Sequence, residues 1–223
     1  MSCFIQPCPD PHRLVLDNTR LVSPHLCPEL SLHLVTEDCP WWRQSPEDLE
    51  LQGIDEPFWG FAWAGGQALA RHLLDSPGLV RGRRILDFGA GCGIVGLAAA
   101  RAGAARVQAV DIDPVCEVAC RLNAQANGLT IETETRDLVG EQVDVDLLVA
   151  GDMTYDAGLT ARLVRWFRGL AGRGVCVLLG DPGRGFLEPG GLEEVGCYDA
   201  PADNDARGLW LRPTRVYRVR PSR

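Results

Sequence analysis

The chain of 223 residues lacks several features that would point to particular functions. No apolar run approaches the length of a membrane span, and residues 1–20 lack the charged-then-apolar order of a targeting segment. The net charge of −8 leaves no concentrated positive charge for binding phosphates. We therefore expect a cytoplasmic protein without a membrane or nucleic-acid partner.

Lysine is absent, and all 22 basic residues are arginine. The chain is also rich in Ala, Gly, Arg and Pro, which is typical of a GC-rich coding sequence. We draw no functional conclusion from the missing lysine.

Metal-ligand spacing is missing as well. The nine cysteines form no Cys-x-x-Cys pair, and the four histidines are scattered. Cys116 and Cys120 share one face of a predicted helix, but no other Cys or His lies near them in sequence, so packing explains them. The sequence thus predicts free thiols in a reducing compartment and no metal site.

What is present indicates one globular domain, because 46% of the residues are hydrophobic and the length suits a single core. We divide it into an N-terminal extension, 1–56, and a domain, 57–223, and expect a monomer. The extension is Pro-rich and irregular, with a strand over 30–35 and a helix over 45–51. The aromatic and glycine cluster 57–67, which includes Trp63, leads into a helix over 68–74 and is either a core plug or a lid over a ligand.

From Arg84 onwards, strand and helix patterns alternate, which predicts an α/β fold with a parallel sheet and a ligand at the carboxyl ends of its strands. Strands are predicted over 85–88, 107–111, 131–135, 145–150 and 175–179, and helices over 94–101, 114–127 and 159–170. After a short helix beyond Gly185, strands near 195–198 and 209–219 are expected to pair antiparallel. Such a sheet, ending in an antiparallel hairpin, is the arrangement of class I methyltransferases.

A glycine turn follows the first of these strands. Its glycines let the backbone approach a ligand closely, and the next helix directs its first amides toward the turn. Asp111, at the tip of the following strand, can accept two hydrogen bonds from a ribose diol. The predicted cofactor residues are Trp63, Asp87, Gly89, Ala90, Gly91, Gly93, Asp111, Ile112 and Asp137.

The segment 91–96 matches the Gly-x-Gly-x-x-Gly dinucleotide fingerprint, so a nicotinamide-dependent oxidoreductase stays open. Asp87 argues against it: at the end of its strand the carboxylate would face a pyrophosphate, and like charges about 4 Å apart cost several kcal/mol. S-adenosylmethionine has no phosphate and carries two cationic groups, so acidic strand ends suit it better.

Segment 151–156 follows the fourth strand of the alternating series, where the chain passes the predicted cofactor. Asp152 and Tyr155 are our catalytic candidates, although Asp152 could instead cap the following helix and Tyr155 could pack. Asp137, after the third strand, either touches the adenine edge or is a surface acid.

Taken together, segments 57–67, 111–114, 122–124, 151–156 and 180–184 and the glycine turn resemble the bacterial relatives of the electron transfer flavoprotein beta-subunit lysine methyltransferase. The resemblance runs from about residue 19 to residue 219. It implies a seven-stranded class I fold, S-adenosylmethionine as methyl donor and a protein lysine as acceptor, with the flavoprotein beta subunit suspected. An acid-x-x-aromatic motif of that group corresponds to Asp152 and Tyr155. Thr154 departs from the aromatic expected there, and segment 201–212 does not align.

The resemblance leaves the acceptor open between a protein lysine, a ribosomal protein and a small molecule. Methyl transfer moves positive charge from sulfur to nitrogen, so a fixed carboxylate near the nitrogen stabilises the transition state. A lysine must first lose a proton, at a cost of about 4–5 kcal/mol at pH 7. We therefore assign Asp152 to positioning and electrostatics, with the proton leaving through water.

Overall fold

The computed structural model describes residues 10–51, 54–188, 190–202 and 210–221. The helices are α1 (Pro11–Asn18), α2 (Pro46–Glu50), α3 (Ala64–Asp75), α4 (Ile94–Arg101), α5 (Pro114–Ala126) and α6 (Ala157–Gly172). The strands are β1 (Arg20–Val22), β2 (Leu32–Leu34), β3 (Arg84–Phe88), β4 (Arg106–Asp111), β5 (Glu132–Thr135), β6 (Leu147–Gly151), β7 (Cys176–Asp181), β8 (Leu192–Pro201) and β9 (Leu211–Val219).

The main sheet has seven strands in the order β5-β4-β3-β6-β7-β9-β8. Strands β3 to β7 run parallel, so their carboxyl ends lie along one edge. β9 runs antiparallel to both β7 and β8. The predicted α/β class, the parallel alternation and the terminal hairpin are confirmed.

Both faces of the sheet are covered, because successive residues of its apolar strands point to opposite sides. Ile85 and Leu147 pack with α3 and α4, whereas Leu86 and Leu148 pack with Phe167 on α6. The layers therefore hold the strand ends, and the loops that follow them, in fixed positions.

The N-terminal segment packs on the outer face of α5, where Val15, Trp41 and Trp59 form a cluster with Cys116 and Leu122. Asn123 in α5 and Asn127 at its C-cap also bind the N-terminal segment. Asn123 Oδ1 accepts from the His33 backbone N–H at 2.6 Å, and Asn127 Oδ1 accepts from that of Ser31 at 2.9 Å. The division at residue 56 stays a prediction.

Three local expectations differ from the structure. α3 begins at Ala64 rather than 68, and α1, in the segment read as irregular, was not predicted. No helix follows Gly185 within 186–188 and 190–191, where β8 begins directly at Leu192. β8 runs from 192 to 201, well beyond the expected 195–198, because cross-strand pairing with β9 extends a strand whose own sequence is mixed. Leu209 lies outside the described residues.

Candidate active site

The glycine turn links β3 to α4 at the carboxyl edge of the sheet. Gly89, Gly91 and Gly93 have φ angles of 67°, 52° and 78°, which side chains strongly disfavour. The backbone N–H groups of Gly89 and Ala90 both donate to the carbonyl of Val110, at 2.9 and 3.2 Å. The turn is therefore fixed against the end of β4.

Asp111 ends β4 beside this turn. Its Oδ2 accepts from the Gly91 N–H at 3.0 Å and its Oδ1 from the Asp113 N–H at 3.2 Å, so backbone amides orient both carboxylate oxygens. The next side chain, Ile112, is 72% exposed, so its apolar surface is accessible from solvent. Asp137 is exposed and accepts from the Val139 N–H at 2.9 Å, in a local turn.

Asp87 lies beneath the turn. We expected it to end the strand and face the ligand, but Phe88 ends β3 and the Asp87 side chain is buried. Its Oδ2 accepts from the Gly96 N–H at 2.7 Å, in the first turn of α4. Burial raises the pKa of Asp87 to about 7, and the Asp111 carboxylate adds to the increase. The Asp87 side chain therefore lies beneath the turn and does not line its outer surface.

Asp152 follows β6 in the left-handed conformation, with φ of 58°, and its backbone N–H donates to the Gly180 carbonyl at 2.9 Å. Its Oδ2 accepts from the Gly66 N–H in the first turn of α3 at 2.7 Å. Asp152 thus caps α3, whereas the following helix, α6, is capped by Asp156. The alternative reading of Asp152 as a cap for the following helix is wrong.

Arg184 provides the second partner of Asp152. Its Nη2 donates to Asp152 Oδ1 at 3.1 Å, and its Cζ lies 5.9 Å from the ring centroid of Trp63. Trp63 is the N-cap residue of α3, and its Nε1 donates to the Phe58 carbonyl at 2.9 Å. A carboxylate, a guanidinium and an indole therefore meet at the start of α3.

Close backbone packing joins this cluster to the glycine turn. A Cβ on Gly66 would lie 3.3 Å from Ile94 Cγ2, at the first residue of α4. The Met153 side chain lies directly against Gly89, whose added Cβ would overlap the sulfur. Tyr155, which is 53% exposed, lies on the solvent side, and the Asp111 charge contributes to raising its pKa after the larger effect of burial.

Sequence reasoning missed three residues of this region. Thr154, where an aromatic residue was expected, is buried and donates from Oγ1 to Asp181 Oδ1 at 2.6 Å, so it links the segment after β6 to the end of β7. Met153 was assigned no role, and Arg184 belonged to a motif without an assigned function. The repeated small and charged residues of 180–184 were the available signal, but their partners lie about thirty positions away in sequence.

The described residues contain neither a metal-binding cluster nor a membrane-spanning helix. No group of three His, Cys, Asp or Glu side chains among them is arranged to hold a metal ion. No helix in the described ranges is long and apolar enough to cross a membrane.

Comparison with known proteins places this geometry in a family. The family model of the ribosomal protein L11 methyltransferase (PrmA) matches residues 68–153. The electron transfer flavoprotein beta subunit lysine methyltransferase of Xenopus laevis is 43% identical over 190 residues, which cover 82% of this chain and 76% of that protein. The corresponding Danio rerio protein is 40% identical over 183 residues, covering 80% of this chain and 70% of its own.

Among solved structures, a candidate RNA methyltransferase of Pyrococcus horikoshii superposes with a TM-score of 0.50 at 17% identity, covering 68% of this chain and 81% of that one. This similarity concerns the fold. The chain belongs to the electron transfer flavoprotein beta subunit lysine methyltransferase family.

Proposed function

We propose that this protein transfers a methyl group from S-adenosylmethionine to a lysine of the electron transfer flavoprotein beta subunit. The observation that carries the proposal is the placement of Asp111 and Asp152 on either side of one glycine turn, in a chain of this family. Acidic groups there suit a cationic donor and a cationic acceptor, and oppose a dinucleotide pyrophosphate.

The residues present fit S-adenosylmethionine. Asp111, with both oxygens already oriented, would accept from the ribose hydroxyls, and exposed Ile112 would cover one face of the adenine. Gly91 leaves room for close approach, since an added Cβ would have no atom within 4 Å although its φ disfavours one. Bound there, the donor would supply a methyl group on a sulfonium. The buried Asp87 would favour that positive charge from below.

The third glycine of the fingerprint has a different explanation from pyrophosphate binding. A Cβ on Gly96 would lie 2.9 Å from Asp87 Oδ2, so the glycine accommodates the buried carboxyl group.

The acceptor side would be formed by Asp152, Tyr155 and Trp63. Asp152 is held by α3 and Arg184, so it would meet an incoming nitrogen without rearranging, which is the requirement for electrostatic stabilisation of a transition state. Asp152→Ala should lower the methyl-transfer rate by about a hundredfold. Tyr155→Phe should lower the methyl-transfer rate less, because the aromatic ring at position 155 remains.

Labelled methyl donor and purified flavoprotein provide the direct test. Mass spectrometry should find methyl groups on lysines of the beta subunit, and replacing those lysines with arginine should remove them. Because the enzyme chain contains no lysine, every methyllysine must come from the acceptor. A flavoprotein that stays unmodified would contradict the acceptor assignment.

The L11 methyltransferase model favours a second acceptor, ribosomal protein L11, but its match ends at residue 153, before Tyr155 and Arg184. L11 is therefore the matched control acceptor. Labelling of L11 and not of the flavoprotein would keep the donor assignment and replace the acceptor.

A further inference from the structure

Arg184 creates an electrostatic problem for the proposed function, on which this inference rests. A carboxylate near the acceptor favours the ammonium form of lysine, which cannot attack a methyl group. Asp152 is such a carboxylate, but a guanidinium is bound to it at 3.1 Å. The charge that an incoming lysine meets is therefore the sum of both groups.

The pair is poorly hydrated and firmly held. The Asp152 side chain is 9% exposed and that of Arg184 is 22% exposed. The Trp63 ring lies against the guanidinium at 5.9 Å, a cation–π arrangement, and the Gly66 amide at the positive end of α3 fixes the other carboxylate oxygen. Separating buried opposite charges leaves both uncompensated, so a substrate cation would gain little by displacing Arg184.

We propose that Arg184 is a positioning residue that stays bound to Asp152 during turnover and keeps the acceptor lysine in its neutral, nucleophilic form. The lone pair of the neutral amine forms the new N–C bond, and the bonding pair of the broken C–S bond stays on sulfur. The proton lost beforehand goes to water. Asp152, balanced by Arg184, can then stabilise the charge that appears on nitrogen during transfer without retaining the proton before it.

Within the part of the chain that the structure describes, the nearby charged groups Asp181 and Arg215 have partners of their own. Asp181, behind the site, accepts from the Thr154 hydroxyl and from the Gly183 N–H. Arg215, opposite Asp181 in the sheet register, is bound to Glu194. Tyr155 is a neutral phenol at working pH, since burial raises its pKa. Asp111 adds negative charge from the donor side, whereas Arg184 places positive charge directly on Asp152.

The test is the pH dependence of kcat/KM for lysine methylation by the full chain. In Arg184→Gln, uncompensated Asp152 should hold the ammonium, so the apparent pKa of the profile should rise by about one pH unit or more. KM at neutral pH should fall or stay level while kcat drops about tenfold, in line with the smaller neutral fraction. Arg184→Lys keeps the charge and should restore the profile.

Two controls separate this role from a structural one. Asp152→Asn combined with Arg184→Gln removes both charges, so its profile should return toward that of the wild type even though its rate is lower. Arg165→Gln, on the exposed side of α6, should leave the profile unchanged. An Arg184→Gln profile that does not move, or moves to lower pH, overturns the inference. A wild-type enzyme that transfers no methyl group would instead contradict the proposed function.

Discussion

Asp87 and Asp152 make the same local contact at different helices. Each accepts from the third backbone amide of a helix, Gly96 of α4 and Gly66 of α3, and each comes from a strand end. Asp152 also has a guanidinium partner, whereas the neighbouring charge that acts on Asp87 is the carboxylate of Asp111. With the same capping contact, Asp152 is part of an ion pair, whereas burial and then the Asp111 charge raise the pKa of Asp87.

The raised pKa of Asp87 predicts how stability depends on pH. Its ordinary value is 3.8 and its folded value is about 7, so between these values the folded protein holds a proton that the unfolded chain has released. The free energy of unfolding should therefore fall as pH rises from about 4 to 7, by up to about 4 kcal/mol. Asp87→Asn keeps the acceptor oxygen and should lack this slope.

Urea denaturation of the wild type and of Asp87→Asn at pH 4.5, 6 and 7.5 measures how the unfolding free energy of each depends on pH. Saturating S-adenosylmethionine should reduce the pH dependence of the wild-type unfolding free energy, because a bound cation favours the ionised form of Asp87. Parallel stability curves for wild type and Asp87→Asn would show that Asp87 titrates normally.

Individual contacts of this kind were the least accessible to sequence reasoning. Asp111 and the glycines of the turn lie within about 25 positions of each other, and this spacing predicted that they would lie close together in the fold. Arg184 lies 32 positions from Asp152, and Gly66 lies 86 positions from it. Such contacts depend on where distant strands end in the sheet. Neither the capping of α3 by Asp152 nor the Asp152–Arg184 ion pair could therefore be predicted from neighbouring residues in the sequence.

At the level of elements, the start of α3 packs so closely against the ends of β6 and β7 that only glycine fits at residue 65. A Cβ on Gly65 would lie 2.4 Å from the Gly180 carbonyl oxygen and 2.7 Å from Asp152 Oδ2. The glycine pair at 65–66 reads as a loop in the sequence, since glycine weakens a helix. This is why the predicted start at 68 was late: the capping carboxylate of Asp152 comes from another part of the fold.

Gly65→Ala should consequently lower the free energy of unfolding by about 1–3 kcal/mol, because backbone atoms cannot yield to the new methyl group. It should also lower activity by displacing Asp152. Gly169→Ala in the exposed last turn of α6, where the nearest atom is a flexible Arg173 nitrogen at 3.8 Å, should raise stability by about 0.5–1 kcal/mol. Equal effects of the two substitutions on thermal melting would contradict the close packing.

The parallel strands β3, β4, β6 and β7 were predictable because each contains a short, largely apolar run that ends at or next to glycine or aspartate. β6, for example, was expected over 145–150 and spans 147–151. β8 was underestimated because its burial alternates weakly and its extent is set by β9. Pairing, rather than composition, determined its ends.

For the molecule as a whole, the β8–β9 hairpin extends beyond the edge at which the parallel strands β3 to β7 end. Asp181 ends β7 opposite Arg215, while residues 211–214 of β9 continue past it, about 13 Å further at the usual rise per residue. Leu211, the first residue of β9, is 48% exposed, and Trp210 just before it is 76% exposed. A folded acceptor placed at Asp152 would meet this overhang.

Trp210→Ala should therefore raise KM for the folded flavoprotein about tenfold, equivalent to ~1.4 kcal/mol, by removing an aromatic contact. KM for a short peptide carrying the acceptor lysine should not change, since the peptide does not reach the hairpin. Steady-state kinetics with both acceptors decides the point. A KM that stays constant for the folded acceptor would assign its docking to another surface.

The attachment of the N-terminal segment to α5 has a consequence for synthesis of the chain. Ser31 and His33 find their asparagine partners 96 and 90 positions later in sequence. At translation rates of 5–20 residues per second, the strand β2 waits roughly 5–20 s for α5 to emerge. During that interval Leu32 and Leu34, buried in the finished fold, have no α5 to cover them. The nascent chain is thus exposed to aggregation early, and slower synthesis before residue 127 would lengthen that period.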